Sequence, residues 1–531
     1  MKNENIFVNS EIGTLKRILI HSPDGGIGKV IPAKAVDWLY EDIVDLKRMQ
    51  AEYDVYRKLL LAYLDPETLK KWFAREVDED HDEFYFNDET RPSFVNPESS
   101  DYLDSDAVVD IQRLLGKILE SEQVRQQMVA IVCGAERIEF TIHQRLLNQD
   151  KEWLKYFTPI TPNQLARVLI TGFIKWIPNE EGKRNGKREM LRQLFPPIPN
   201  FIFTRDICIV VNDHLLLSKL SNNIRQRESI IIKYIAYYHF FSDNWDKVIE
   251  LPEDNRFFLY DEEELQQNIV TIEGGDVMMI HQNHLLVGCS ERTTYNAVNK
   301  LVKKLLNNKI VKKVTAIIIP EQRETMHIDT VFTQIKRNSW VIYGPFSSKY
   351  SDSFAGSLVP TLLDEAERKV YEDDDVRLVH FWYDEETNEI KSHEDFEYIE
   401  DLFEYISKED FGCNEPMEYI YCGDLKYPAS LREQWTDACN VVAIKEGVVI
   451  GYDRNRETAK VFQKNNYDVI HASELIDRLK TAYVENPDIN ISEKLQQLVP
   501  KQTLLLLPSS ELSRARGGSH CMSMPLLRVQ P

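Results

Sequence analysis

At 531 residues the chain is long enough for about three domains, or for one large fold carrying an insertion. Its 43% hydrophobic and 28% charged residues suit a soluble globular protein. The formal net charge of -22 argues against nucleic acid or an anionic membrane as partner, yet leaves room for a local basic pocket.

No stretch approaches the roughly 18 apolar residues of a membrane span, and residues 1–8 lack a signal-like apolar run, so a cytoplasmic protein is expected. The seven cysteines are scattered, with no C-x-x-C pair, which points to reduced thiols rather than a disulfide frame or a zinc site. Residues 16–21 read as a short strand closed by the turn-rich stretch 22–26. From about Val36 to Leu64 apolar residues recur at helical spacing, and the pattern stays helical to about Gly172. Within this block the acidic run 78–83 lacks the glycine and alternating ligands of a calcium loop and reads as a solvated loop.

The rhythm changes after residues 195–200. Ile207 to Val211 and Leu215 to Leu217, split by Asn212-Asp213-His214, predict a hairpin, followed by a helix near 227–238 and a strand at 248–251. The same order returns with strands at 277–280 and 285–287, a helix near 295–306 and a strand at 316–319. A third hairpin spans 331–343. A fourth joins 441–444 to 448–450 across Glu446-Gly447 and leads to a helix near 456–466 and a strand at 469–470. Weak repetition of a ββαβ unit suggests modules around a centre, hairpins facing inward. The basic run 183–188 has no interleaved aromatics and reads as a solvent loop, as do the acidic stretches 371–375 and 384–388.

Short polar motifs stand at or just before strand starts: Phe203-Thr204-Arg205-Asp206, Glu273-Gly274-Gly275-Asp276 and His327-Ile328-Asp329-Thr330. In an alternating strand His327 and Asp329 would share a face, one shuttling protons while its neighbour fixes a substrate. Near the C-terminus, Ser513-Arg514-Ala515-Arg516-Gly517-Gly518-Ser519-His520-Cys521 places a thiol after two glycines that admit close approach. The arginines and the histidine are expected to raise the local potential and so lower the thiol pKa from about 8.5.

Together with Asn200 and the run Arg514 to Ser523, these motifs resemble the arginine deiminases of the guanidino-group modifying superfamily. Supporting segments are 11–16, 225–228, 291–293, 433–437 and 451–455, so the resemblance spans nearly the whole chain. It implies an α/β fold: a five-bladed, pseudo-symmetric propeller of ββαβ units with an inserted all-helical domain. Residues 1–60 and 173–531 would form the propeller and 61–172 the helical domain. Segments 469–475 and 506–512 both resemble the strand leading into the cysteine loop, and a helical insertion at about 476–502 separates them. We expect the second copy to hold the family position. Ser519 replaces a glycine or proline of many relatives, with consequences for loop mobility.

The resemblance further implies hydrolysis of L-arginine to L-citrulline and ammonia through a covalent Cys521 thiouronium, without cofactor or metal. Asp206 and Asp329 would grip the guanidinium, His327 would act as acid and then base, and Glu273 would orient it. Arg225, Arg292, Asn200 and Asp276 would bind the substrate, the two arginines at its carboxylate, and Arg516 resembles a gating-loop arginine. Alternatives from the same motifs are amidinotransfer, hydrolysis of another carboxylate-bearing guanidino compound, or a non-catalytic arginine sensor. A homo-oligomer remains open.

Overall fold

This computed structural model describes residues 6–40, 42–80, 94–139, 160–178, 189–252, 269–348, 376–394 and 396–530. Five of its sheets share one plan: an antiparallel pair whose inner strand also carries a parallel neighbour. The pair Cys208–Val211 and His214–Leu217 is joined by Val248–Ile249. Val277–His281 and His284–Cys289 are joined by Lys313–Ile318, and Phe332–Lys336 and Ser339–Ile342 by Glu418–Tyr421. Val442–Lys445 and Val448–Tyr452 are joined by Thr503–Leu507. In the fifth, the chain's end meets its beginning: Met524–Val529 runs antiparallel to Thr14–Ile20, which carries Val108–Asp110 in parallel.

The plan follows from local chemistry. The paired strands are rich in Val, Ile and Leu and are buried nearly throughout, as expected where both faces are covered. Gly447, at φ +78, closes one hairpin in a conformation that a Cβ would strain. Parallel neighbours require a crossover, and Tyr295–Asn307 supplies one. Thr294 caps that helix by accepting from the Ala297 amide, and Ala297, Val298, Leu301, Val302 and Leu305 turn its apolar face to the core.

The helical block holds helices Leu46–Leu64, Pro66–Asp80, Ile111–Ile118, Glu122–Glu139 and Pro162–Thr171. Several expectations change here. The helix predicted from Val36 begins at Leu46, where Asp45 accepts from the Arg48 amide; Val36 follows the short helix Pro32–Ala35, and the described residues from 36 to 45 are not helical. The strand Val108–Asp110 interrupts the block and is too short to show period-two alternation. Strands Phe173–Pro178 and Glu189–Phe195 form a further antiparallel pair that sequence periodicity did not predict. Of the acidic run 78–83, read as a loop, residues 78–80 instead end the helix Pro66–Asp80; 81–83, 183–188 and 371–375 lie outside the described residues, while 384–388 forms the turn between Arg377–Asp384 and Glu389–His393.

Both copies of the strand leading toward Cys521 belong to one sheet. Thr503–Leu507 lies inside it, between Val448–Tyr452 and the edge strand Asp468–His471. The intervening helices, Ala472–Glu485 and Ile491–Leu498, bury Leu475, Ile476, Leu479, Ile491 and Leu495 in the same apolar cluster as Tyr53 and Leu60 of helix Leu46–Leu64. Among the described residues no helix is long and apolar enough to cross a membrane.

A second cluster is centred on Trp340, fully buried and stacked on Phe403 with ring centroids 3.9 Å apart. Trp340→Ala is expected to cost about 3–5 kcal/mol in urea unfolding, leaving KM for substrate unchanged in the folded fraction.

Candidate active site

A tight turn leads into the first strand of each of the five sheets, and these turns carry the motif residues. Thr204–Ile207, Gly274–Asp276 and Ile328–Thr330 are each a single helical turn, and residues 519–522 form a turn ahead of Met524. His327 and Asp329 are therefore not neighbours on one strand face, as alternation suggested. The strand begins only at Phe332, His327 is the extended residue before the turn, and Asp329 sits within it.

His327 Nε2 lies 3.0 Å from Glu273 Oε2, while Glu273 Oε1 accepts from the Ser221 amide and hydroxyl, each at 3.1 Å. Burial disfavours charge on both side chains. For Glu273 the His327 hydrogen bond and the Arg225 charge outweigh it and hold the carboxyl well below its usual range. For His327 the Glu273 bond, with the charges of Asp276 and Asp206, lifts the pKa to about 9. Its other ring nitrogen, Nδ1, is buried without a hydrogen-bond partner.

Asp206 and Asp329 present the same pattern twice. Asp206 Oδ2 accepts from Arg225 Nη1 at 3.0 Å, and Asp329 Oδ2 faces His520 Nδ1 at 2.8 Å. In each the second oxygen, Oδ1, is buried and accepts no hydrogen bond. Two such acceptors suit a ligand that brings its own N–H donors and positive charge. Burial raises the Asp206 carboxyl, although Arg225 opposes it. Burial also works against charge on Asp329, but His520 prevails and lowers it.

Cys521 Sγ stands 3.6 Å from Asp329 Oδ2. The thiol is pushed well above its ordinary pKa, first by burial and then by Asp329, Asp206 and Asp437. This overturns the expectation of a thiol activated by its neighbouring arginines. Arg514 turns outward to Asp42 at 2.8 Å, and Arg516 pairs with Asp437 while its guanidinium lies 4.1 Å from the Trp435 ring centroid. Adjacent in sequence, these cations are committed elsewhere in space. His520 follows suit, held between Asp329 and Glu11 Oε2, the latter at 3.4 Å; Arg205 grips the same Glu11 at 3.1 Å.

The expected substrate-binding residues are less uniform. Arg225 is buried and already engaged: Nε and Nη2 donate to Glu228 Oε2 at 3.0 and 2.8 Å, and Nη1 serves Asp206 and lies 3.5 Å from Glu273. Arg292 is bound more lightly: Nη1 donates to Ser221 Oγ at 3.3 Å and Nε lies 3.3 Å from the half-buried Glu291 carboxylate. Asn200 donates to the Trp38 carbonyl at 2.7 Å. Both oxygens of Asp276 are taken, by the Ser290 hydroxyl at 2.6 Å and the Ile328 amide at 3.0 Å, so here it anchors the turn that bears Asp329. Arg516, at φ +64, donates to the carbonyls of Trp435 and Glu324, each at 2.9 Å.

A family model described as arginine deiminase matches residues 106–528. The chain belongs to the arginine deiminase family. It is 28% identical to the arginine deiminase of a Bacillus cereus strain over 530 residues, covering 98% of each chain. It is 27% identical to those of Borreliella afzelii, with 99% of this chain and 97% of that one covered, and Listeria monocytogenes, with 98% and 97% covered.

Motif reading brought together Asp206, Glu273, His327, Asp329 and Cys521 but overlooked what holds them. Asn440 Oδ1 accepts from the Cys521 amide at 2.9 Å, and Asp437 accepts from the Gly517 amide at 3.0 Å. Ser519 fastens the cysteine loop: its hydroxyl donates to Ile450 O at 2.7 Å and accepts from the Val442 amide at 3.2 Å. Asp437 lay within a quoted segment of the family resemblance, whereas Asn440 sits just beyond it, directly ahead of a predicted strand.

Proposed function

We propose that this member of the arginine deiminase family hydrolyses L-arginine to L-citrulline and ammonia at Cys521. The observation that carries the reading is the pair of buried, unpaired oxygens, Asp206 Oδ1 and Asp329 Oδ1, in the site that holds Cys521 and His327. A guanidinium is planar and rich in donors, so it meets both acceptors while its charge offsets the carboxylates that oppose thiolate formation. Cys521 loses its proton to solvent as the guanidinium binds, and the thiolate attacks the central guanidinium carbon. The bond to one terminal nitrogen breaks, His327 gives that nitrogen its proton, and ammonia departs from an S-alkylthiouronium. His327, now neutral, takes a proton from water as it adds to the same carbon. The carbon–sulfur bond breaks, the added oxygen gives up its remaining proton to the departing sulfur, and citrulline and the Cys521 thiol are left. Glu273 favours the charged histidine that the first half needs.

The α-carboxylate falls to Arg292, with Asn200 and Arg225 as further contacts after rearrangement of the bonds they make in this structure, and Arg516 acts as the gate. Asp276 supports this set by holding the 327–329 turn. In the same reading the five sheets are the blades of an α/β propeller around the site, formed by residues 1–60 and 173–531. Residues 61–172 make a helical domain, and about 476–502 an insertion. We assign the enzyme to the cytoplasm, with L-arginine as its small-molecule partner and without nucleic acid.

Mass-spectrometric analysis of purified protein mixed with L-arginine or agmatine tests the reaction. Citrulline and ammonia are expected from arginine. Agmatine, which lacks the carboxylate, should turn over at least about tenfold more slowly in kcat/KM, the factor that about 1.4 kcal/mol of lost transition-state contact produces. Ornithine formed only with an added amine acceptor would move the assignment to amidinotransfer.

A further inference from the structure

The turns that precede the five first strands each place one polar residue one to three positions ahead of the strand: Asp206 before Cys208, Asp276 before Val277, Asp329 before Phe332, Asn440 before Val442 and Cys521 before Met524. Four of these already have a role in the proposed reaction or in the turn that supports it. Asn440 is the fifth, and its side chain is buried and used at both ends. Oδ1 accepts from the Cys521 amide at 2.9 Å, and Nδ2 donates to the Asp329 carbonyl at 3.1 Å.

Resting on the arginine deiminase reading, we propose that Asn440 is a positioning residue that sets the nucleophile Cys521 against the guanidinium-gripping Asp329 by bridging their two turns. Its backbone carries the link further: the Asn440 carbonyl accepts from the His520 amide at 3.4 Å. A Cβ on Gly518 would lie 2.4 Å from that carbonyl, so the loop closes on Asn440 at a distance only glycine permits. The two turns belong to different sheets, and a short carboxamide offers an acceptor and a donor together, which neither Asp nor Ala supplies. The electrostatics point the same way: burial and three aspartates raise the Cys521 thiol pKa, and a hydrogen bond with the Asn440 side chain opposes them.

Asn440→Ala in the full chain tests this. The kcat for L-arginine is expected to fall about 10²-fold, the loss that about 1 Å of misplacement at the reacting groups produces. KM should stay within about threefold, because the carboxylates that bind the guanidinium remain. Iodoacetamide inactivation, followed against pH without substrate, should shift its midpoint upward by about one unit. Should Asn440→Ala not fold, Asn440→Asp keeps the acceptor for Cys521 and loses the donor, and the same fall in kcat and upward shift are expected. A kcat within threefold of wild type, or a fall in the urea midpoint with an unchanged alkylation profile, overturns the proposal. The alkylation measurement needs no turnover. A wild type inactive on arginine therefore refutes the arginine reading separately, leaving the midpoint shift to judge Asn440.

Discussion

Cys521→Ala is expected to lower kcat for L-arginine by at least about 10⁴-fold, the scale on which removing a nucleophile acts when its partners remain. Calorimetry should still detect arginine binding, because Asp206 Oδ1 and Asp329 Oδ1 are untouched and the substitution removes no charge from the protonated resting thiol. Loss of turnover with binding retained would separate the enzyme from an arginine sensor, whose arginine-dependent behaviour survives the change. Residual turnover above about one per cent of wild type would sink the role of Cys521. The resting thiol makes a related demand. Since burial and Asp329 raise its pKa, alkylation of the free enzyme should be slow at neutral pH and accelerate as pH rises, opposite to a thiol preactivated by Arg514 and Arg516.

His327→Ala should cost about 10²–10⁴ in kcat, the usual worth of a positioned acid–base group. The pH profile distinguishes chemistry from simple damage. His327 is lifted to about 9, so the protonated form needed to expel ammonia persists through neutrality, and kcat at saturating arginine, where the bound guanidinium favours the thiolate, should decline as pH rises through about 9. Glu273→Gln removes the carboxylate on Nε2 and should carry that limb downward toward the ordinary value of 6.5. An unmoved limb in Glu273→Gln would sever the proposed pairing. Stability has the corresponding sign: the contribution from the raised His327 pKa is complete below 6.5 and is lost as pH passes about 9.

The sequence and the folded chain each decided different things. Hairpins at 208–217, 277–289, 332–342 and 442–452 were legible because two-residue turns and runs of Val, Ile and Leu are local signals. The motifs were legible because a cysteine behind two glycines, a histidine and paired acids retain their chemistry wherever the chain takes them. Val108–Asp110 was not, since three residues cannot display a period and its partner, Thr14–Ile20, lies far away in the sequence.

By itself the sequence determined the family and the ββαβ rhythm and nominated the proposed reacting groups, all properties of residue type and short-range order. Tertiary structure alone decided how those groups are charged and held. Arg514 and Arg516 stand beside Cys521 in the chain yet ion-pair elsewhere, while Asp206 and Asp329, remote in sequence, act on its sulfur. Electrostatic influence depends on distance and burial in space, and neither can be read from spacing along a chain.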